Sequence, residues 1–317
     1  MNANQKAVDF LNEWSCKKFN GKTIKEYMTY DGFSFWWCAE FWLYYSWLYR
    51  DSLLKIVENL NNPKKEKFSI KKFIRPWGIK QFMRWHSVAR KVYWGYLNLL
   101  NFEDEQPLQG RKIMSISSYN WRLVEHPAVK EGTIGDPYTT PITEYLQEYN
   151  NVFVDATMRE YRGFHILKEK ARSGQKHILL EQYVSIKDIL TISKRAKQIR
   201  KQIKELEKTK EFQDSWIIDN INIWHLIKPQ FDCYFANRLE GHMLEYWCAK
   251  TLLAYEKPDI VIYPCEGGDL AYVFFKLCKD KNIPCVGIQH GTMAYSPLTV
   301  HLKEELEVKN GSSNDTL

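Results

Sequence analysis

Apolar positions recur with a helical period in the first third of the chain and switch to short continuous runs beyond residue 110. From Phe35 the residues are apolar nearly all round, then narrow to Leu53, Leu54, Ile56, Val57 and Leu60, a one-sided stripe that predicts a helix. Asn61-Asn62-Pro63 ends it, since proline cannot continue a helix and restricts the residue before it. Residues 1–105 are therefore read as a helical region. Lys112 to Ser118, its apolar residues bounded by small polar ones, and Asn151 to Asp155 read as short strands. Between them, Asp136-Pro-Tyr-Thr-Thr-Pro141 offers a helix start, with Thr140 as the cap candidate and Ile142, Tyr145 and Leu146 following.

A long charged helix is expected over Ser185 to Lys210, with Ile186, Ile189, Leu190, Ile199, Ile203 and Leu206 as its apolar stripe. It would either build a coiled-coil hairpin or lie across a sheet. Another helix is expected from Pro229 to Tyr255, packed through Leu239, Met243, Tyr246 and Trp247 and mildly interrupted at Gly241-His242. The sharpest pattern is Pro258 to Thr292. Asp259 to Tyr263 has the near-continuous apolarity of a strand covered on both faces. Gly267-Gly268 permits a tight turn, Asp269 caps a helix over Leu270 to Lys281, and Cys285 to Ile288 forms the next buried strand. A βαβ unit follows from that order. The fold class expected is α/β, with an open, mostly parallel sheet and a helical, aromatic-rich N-terminal region. The domains expected are 1–105, 106–302 and a polar tail over 303–317.

Composition narrows the class. With 44% hydrophobic and 26% charged residues, the chain has the make-up of a soluble globular protein. The formal charge of +7 favours anionic partners. Seven cysteines without a CxxC pair argue against a disulfide framework and a structural zinc site, and the start lacks a secretion-signal layout. Cytoplasmic location is expected, with peripheral attachment at the inner membrane face as an extension. Ser34 to Tyr49 is the most lipid-like stretch, but it is short for a span and carries Glu40. A buried aromatic helix is favoured over membrane contact. Lys64 to Lys91 interleaves cations with aromatic rings. A solvated helix face is the first reading, an anionic surface the second, and nucleic acid is disfavoured.

Parallel sheets bind ligands beyond the carboxyl ends of their strands. Glu266 and His290 both fall at that edge in this reading. Histidine can act as a base near neutral pH, and a neighbouring carboxylate can orient it. Gly291 lets a substrate approach the backbone, and the amides at Gly267 and Gly268 suit an anion. Gln289 and Thr292 complete the candidate substrate-binding set. No HExxH or other metal spacing occurs, and no cofactor is expected.

The run Val286 to Thr292 resembles the QHG segment of GT-B-type glycosyltransferases and surface-polysaccharide proteins. It is also similar to the WHGT segment of CDP-glycerol glycerophosphotransferases, with Gln289 where those have Trp. The resemblance spans Pro258 to Thr292, with weaker support from Lys112 to Asp155. It implies a Rossmann-like domain in which His290 is the base that activates an acceptor hydroxyl, with Glu266 on the acceptor side or behind His290. It further implies a nucleotide-activated sugar or polyol donor and a glycan or lipid-linked acceptor. In GT-B enzymes a second Rossmann-like domain holds the nucleotide, and the chain ends soon after the motif. A fragment, a separate nucleotide-binding domain or subunit, or loss of transfer activity would each account for that. The expected function is the acceptor-binding half of such a transferase in cell-surface polysaccharide synthesis. The alternatives are a sugar-nucleotide epimerase-like protein and a non-catalytic, membrane-associated scaffold subunit.

Overall fold

A computed structural model describes residues 3–48, 112–117, 122–127, 129–147, 152–157, 176–263 and 269–288. Its main helices are α1 (Ala3–Ser15), α2 (Trp36–Leu48), α3 (Thr140–Gln147), α4 (Ile186–Glu207), α5 (Trp224–Asn237), α6 (Leu239–Glu256) and α7 (Asp269–Asp280). The main strands are β1 (Lys112–Ser117), β2 (Val152–Thr157), β3 (Lys176–Leu179), β4 (Ile260–Tyr263) and β5 (Cys285–Gly287). Two compact units share the chain. One gathers Met1–Lys91, Ile189–Met243 and Tyr295–Leu317, the other Val92–Asp188 and Leu244–Ala294. Residues 189–243, placed by the sequence pattern within 106–302, thus group with the N-terminal region.

The helical unit is built on aromatic rings. Trp14, Trp36 and Trp216 are essentially fully buried, and the Trp14 and Trp216 rings lie 3.9 Å apart between centroids. Trp14 also donates its indole N–H to Ser215 Oγ at 2.8 Å, which ties α1 to the turn before the short hairpin 217–222. Rings of this size bury large apolar areas, and the indole needs a partner once it leaves water. In α2 the residues from Trp36 to Glu40 and Leu43 are buried, and α2 packs against α1 and α5. The described part of the aromatic stretch, Phe35 to Glu40 and Leu43, is therefore interior, Glu40 included. No described helix is long and apolar enough to cross a membrane.

Helix α4 opens with a reciprocal cap: Ser185 Oγ accepts from Asp188 N at 3.1 Å, and Asp188 Oδ2 accepts from Ser185 N at 3.1 Å. Its buried stripe is Ile189, Ile192, Ala196, Ile199, Ile203 and Leu206, a regular three-four spacing. Ile186 and Leu190 were expected on that stripe but are exposed, because Ile192 and Ala196 hold those turns of the seam. Helix α5 begins at Trp224 and carries Pro229 inside it, so that proline does not start the helix as expected. The chain breaks instead at Arg238, and α6 then runs through Gly241-His242 without interruption.

The second unit holds a five-stranded sheet in the order β5-β4-β1-β2-β3, with all four pairings parallel. The order runs outward in both directions from β1. Strand β1 is buried on both faces, and Ile113 and Ile262 form a core under α3, with Ile142, Leu146, Ile260 and Ile288 against it. Strand β4, helix α7 and strand β5 make the expected βαβ unit, with Val261 opposite Cys285 and Tyr263 opposite Gly287; β5 is an edge strand, so Val286 is 47% exposed and the strand is not buried as expected. Helix α7 buries Val273, Phe274 and Leu277 on its packed side.

Candidate functional site

The parallel pairings set the direction of every loop in the sheet unit. The chain leaves β4 after Tyr263 and leaves β5 after Gly287 at the same carboxyl edge, on adjacent strands. Ile288 prolongs the ladder by one bond, its amide donating to the Tyr263 carbonyl at 2.7 Å. Adjacent strands lie about 4.8 Å apart. The two segments that carry the candidate residues therefore start from neighbouring points. The candidate residues themselves, Glu266, Gly267, Gly268, Gln289, His290, Gly291 and Thr292, lie outside the described residues. Beside them, Tyr263 is buried, with its ring 6.1 Å from Phe274 and 6.2 Å from Phe275 of α7.

Strand order adds a second constraint. The connection from β1 passes through α3 to β2 on one side, whereas β4 lies on the other side of β1. Loops leaving β1 and β4 diverge at such a reversal, and the crevice between them is the usual ligand position in open α/β sheets. The chain leaving β4 enters the 264–268 segment, which lies outside the described residues.

The start of the first crossover helix is also defined. Residues 122–123 pair antiparallel with 134–135, and Val124 N donates to Thr133 O at 2.9 Å. Asp136, fully buried, then turns the chain. Its Oδ1 accepts from Tyr138 N at 2.9 Å and from Thr139 N at 3.1 Å, while its carbonyl accepts from Thr140 N at 2.9 Å. Asp136, not Thr140, supplies the capping side chain, and Thr140 is already the first residue of α3. A carboxylate thus occupies amides that a bound anion would otherwise use at this helix start. Gly135 is required by packing, since a Cβ there would lie 2.2 Å from Thr140 Oγ1.

At the opposite, amino edge of the sheet, an ionic cluster joins β1 to the end of α6. The Lys112 ammonium pairs with Glu256, and it also donates to the Glu256 carbonyl at 2.8 Å. Tyr183 donates its hydroxyl to the same carboxylate at 2.6 Å. Asp259 accepts from Lys112 N at 2.6 Å and returns a bond from its own amide to Lys112 O at 2.9 Å. This cluster went unread in the sequence, where its members are up to 147 residues apart. Its position at the amino ends of β1 and β4 assigns it to holding the sheet together.

Two further titratable groups have structural surroundings. Hydrogen bonding to Cys278, followed by burial, raises the Cys285 thiol well above its ordinary value, so it stays protonated and unreactive. In the helical unit the buried His242 has Nδ1 3.2 Å from Tyr234 Oη, and the Tyr234 hydroxyl donates to the Phe35 carbonyl at 3.3 Å. Among the described residues no cluster of three or more His, Cys, Asp or Glu side chains could hold a metal ion.

No protein-family model, no curated protein and no solved structure matches this chain.

Proposed function

We propose that the sheet unit is the acceptor-binding half of a GT-B-like glycosyltransferase, or a related phosphotransferase, acting in cell-surface polysaccharide or glycan synthesis. The observation that carries this reading is the common origin of the 264–268 and 289–292 segments, tied by the Ile288 to Tyr263 hydrogen bond at 2.7 Å. That origin supports Glu266 and His290 on one rim. The strand order, branching outward from β1, supports a Rossmann-like sheet with its crevice beside β4.

In this reading His290 takes the proton from an acceptor hydroxyl as the hydroxyl attacks the activated carbon or phosphorus of a nucleotide-linked donor. Glu266 orients the imidazole, and the donor's nucleotide is the leaving group. Gly267, Gly268, Gln289, Gly291 and Thr292 line the acceptor side. Asp136 agrees with this division of labour: its carboxylate fills the amide cradle of the first crossover, which favours a hydroxylated acceptor there over a nucleotide phosphate. The nucleotide is then held by a separate domain or subunit.

The test is product analysis with nucleotide sugars and nucleotide-linked polyols in the complete system, with and without a glycan or lipid-linked acceptor. Transfer that requires the acceptor supports the proposal. Conversion of the nucleotide sugar in the absence of any acceptor would replace it with epimerase chemistry.

A further inference from the structure

We propose that the outer face of α4 is a docking surface for an anionic lipid bilayer. Leu190, Lys194, Lys197, Lys201 and Lys204 follow one another at spacings of four and three residues, so they form a single line along the helix, and Lys208 stands just past its end. At 100° per residue that line lies opposite the buried seam from Ile189 to Leu206. From Lys194 to Lys204 it runs about 15 Å. No acidic residue falls on it. Glu205 stands at its border and pairs with Lys208 at 2.8 Å.

The two cation types of this helix are sorted by face. The arginines serve the protein: Arg195 donates to the Thr29 carbonyl at 3.1 Å, and Arg200 donates to the Phe235 carbonyl at 2.5 Å and pairs with Glu240 at 3.1 Å. The lysines face outward. No salt bridge to a described residue holds Lys194, Lys197, Lys201 or Lys204, and all four are exposed. A solvated helix face ordinarily mixes both signs, as the i,i+4 pairing of oppositely charged residues is favourable. This one does not.

The stretch 189–243, which carries this helix, has 10 lysines and arginines against 7 aspartates and glutamates. The chemistry of the line selects lipid over nucleic acid. Single-stranded nucleic acid is held by aromatic platforms as well as cations. The exposed large apolar residues described in the helical unit are instead aliphatic, Leu190 at 66% and Ile217 at 48% exposure. Leu190 heads the lysine line, and an aliphatic side chain there can enter the headgroup layer while the ammonium groups meet lipid phosphates. This surface stands independently of the acceptor-site reading.

The test is co-sedimentation of the full chain with vesicles of phosphatidylcholine alone and of phosphatidylcholine with phosphatidylglycerol. Binding is expected only with the anionic lipid and is expected to weaken with added salt. Each lysine of the line is worth about fivefold in affinity. Lys197→Gln alone should therefore show a loss of that size, and Lys194→Gln, Lys197→Gln, Lys201→Gln and Lys204→Gln together a loss of more than about 100-fold. The corresponding four Lys→Arg changes should retain binding. A control with equal charge loss elsewhere, at Lys18, Lys22, Lys130 and Lys281, should retain most of it. Circular dichroism verifies folding of each variant. Failure to bind anionic vesicles, an equal loss in the control, or binding of single-stranded DNA in place of vesicles would overturn the proposal.

Discussion

Tyr183 donates its hydroxyl to the buried carboxylate of Glu256 at 2.6 Å, and the same carboxylate holds the ammonium of Lys112. One acidic group at the last residue of α6 thereby joins three segments of the sheet unit. Glu256→Ala is expected to lower stability by about 2 kcal/mol, because it strands the Tyr183 hydroxyl and removes the partner of Lys112. Lys112 retains some exposure, which keeps the figure below that of a fully buried pair. Tyr183→Phe should cost about 1 kcal/mol. Urea denaturation of the two variants and of the double variant measures both values and their coupling.

The close approach of Gly135 to α3 predicts a packing defect. Gly135→Ala would set a methyl 2.2 Å from Thr140 Oγ1 and 3.0 Å from Thr140 Cβ. A loss of about 1–3 kcal/mol is expected. Thr140→Ala, which removes Oγ1 and Cγ2 but leaves Cβ, should restore only part of it. Additive losses in the double variant would show that the two positions are not in contact.

Burial raises the Glu207 carboxyl above its ordinary value of 4.5, and repulsion from Asp232 adds to the shift; Lys228, at 3.2 Å, opposes both without cancelling them. A carboxyl raised on folding contributes stability below its unfolded value, and the contribution is lost as pH climbs through the folded value. The charged form is therefore a cost above that window. Glu207→Gln should gain stability relative to the native chain as pH rises from 4.5 towards neutrality. A difference between the two proteins that is constant with pH would refute the shift.

The cysteines should separate in reactivity. Cys16 is exposed, whereas Cys278 is buried and Cys285 is held as the protonated thiol. Alkylation of the native chain near neutral pH is expected at Cys16 well before Cys278 or Cys285. Peptide mapping over time checks the order.

Legibility in the sequence followed the length and punctuation of each segment. The β4–α7–β5 unit was readable because two apolar runs flank a glycine pair, an acidic cap and a helical stripe. Strand β3 is the least legible: Lys176-His-Ile-Leu179 is only four residues long, too short to carry a clear period, although Ser173-Gly174 before it is a turn signal. Pro229 looked like a helix start because proline is common there, yet tertiary packing of Ile227, Phe231 and Tyr234 carries α5 through it. Ala196 was passed over in the α4 seam because a small residue gives little periodic signal, although it is fully buried. The Asp136 cap lay four residues before the helix and was assigned to Thr140. For the candidate site, strand direction and adjacency are legible, since a strand–helix–strand order gives parallel neighbours; the register is not. The Lys112–Glu256–Tyr183 cluster was not, because nothing local joins residues so far apart in the chain.

The acceptor-site reading turns on His290. The rate of sugar or polyol transfer, measured as kcat/KM for the acceptor in the complete system, should fall at least about 100-fold in His290→Ala, as expected on removing a general base. Folding of the variant is checked by circular dichroism. A well-folded His290→Ala protein that transfers at the native rate would contradict the account.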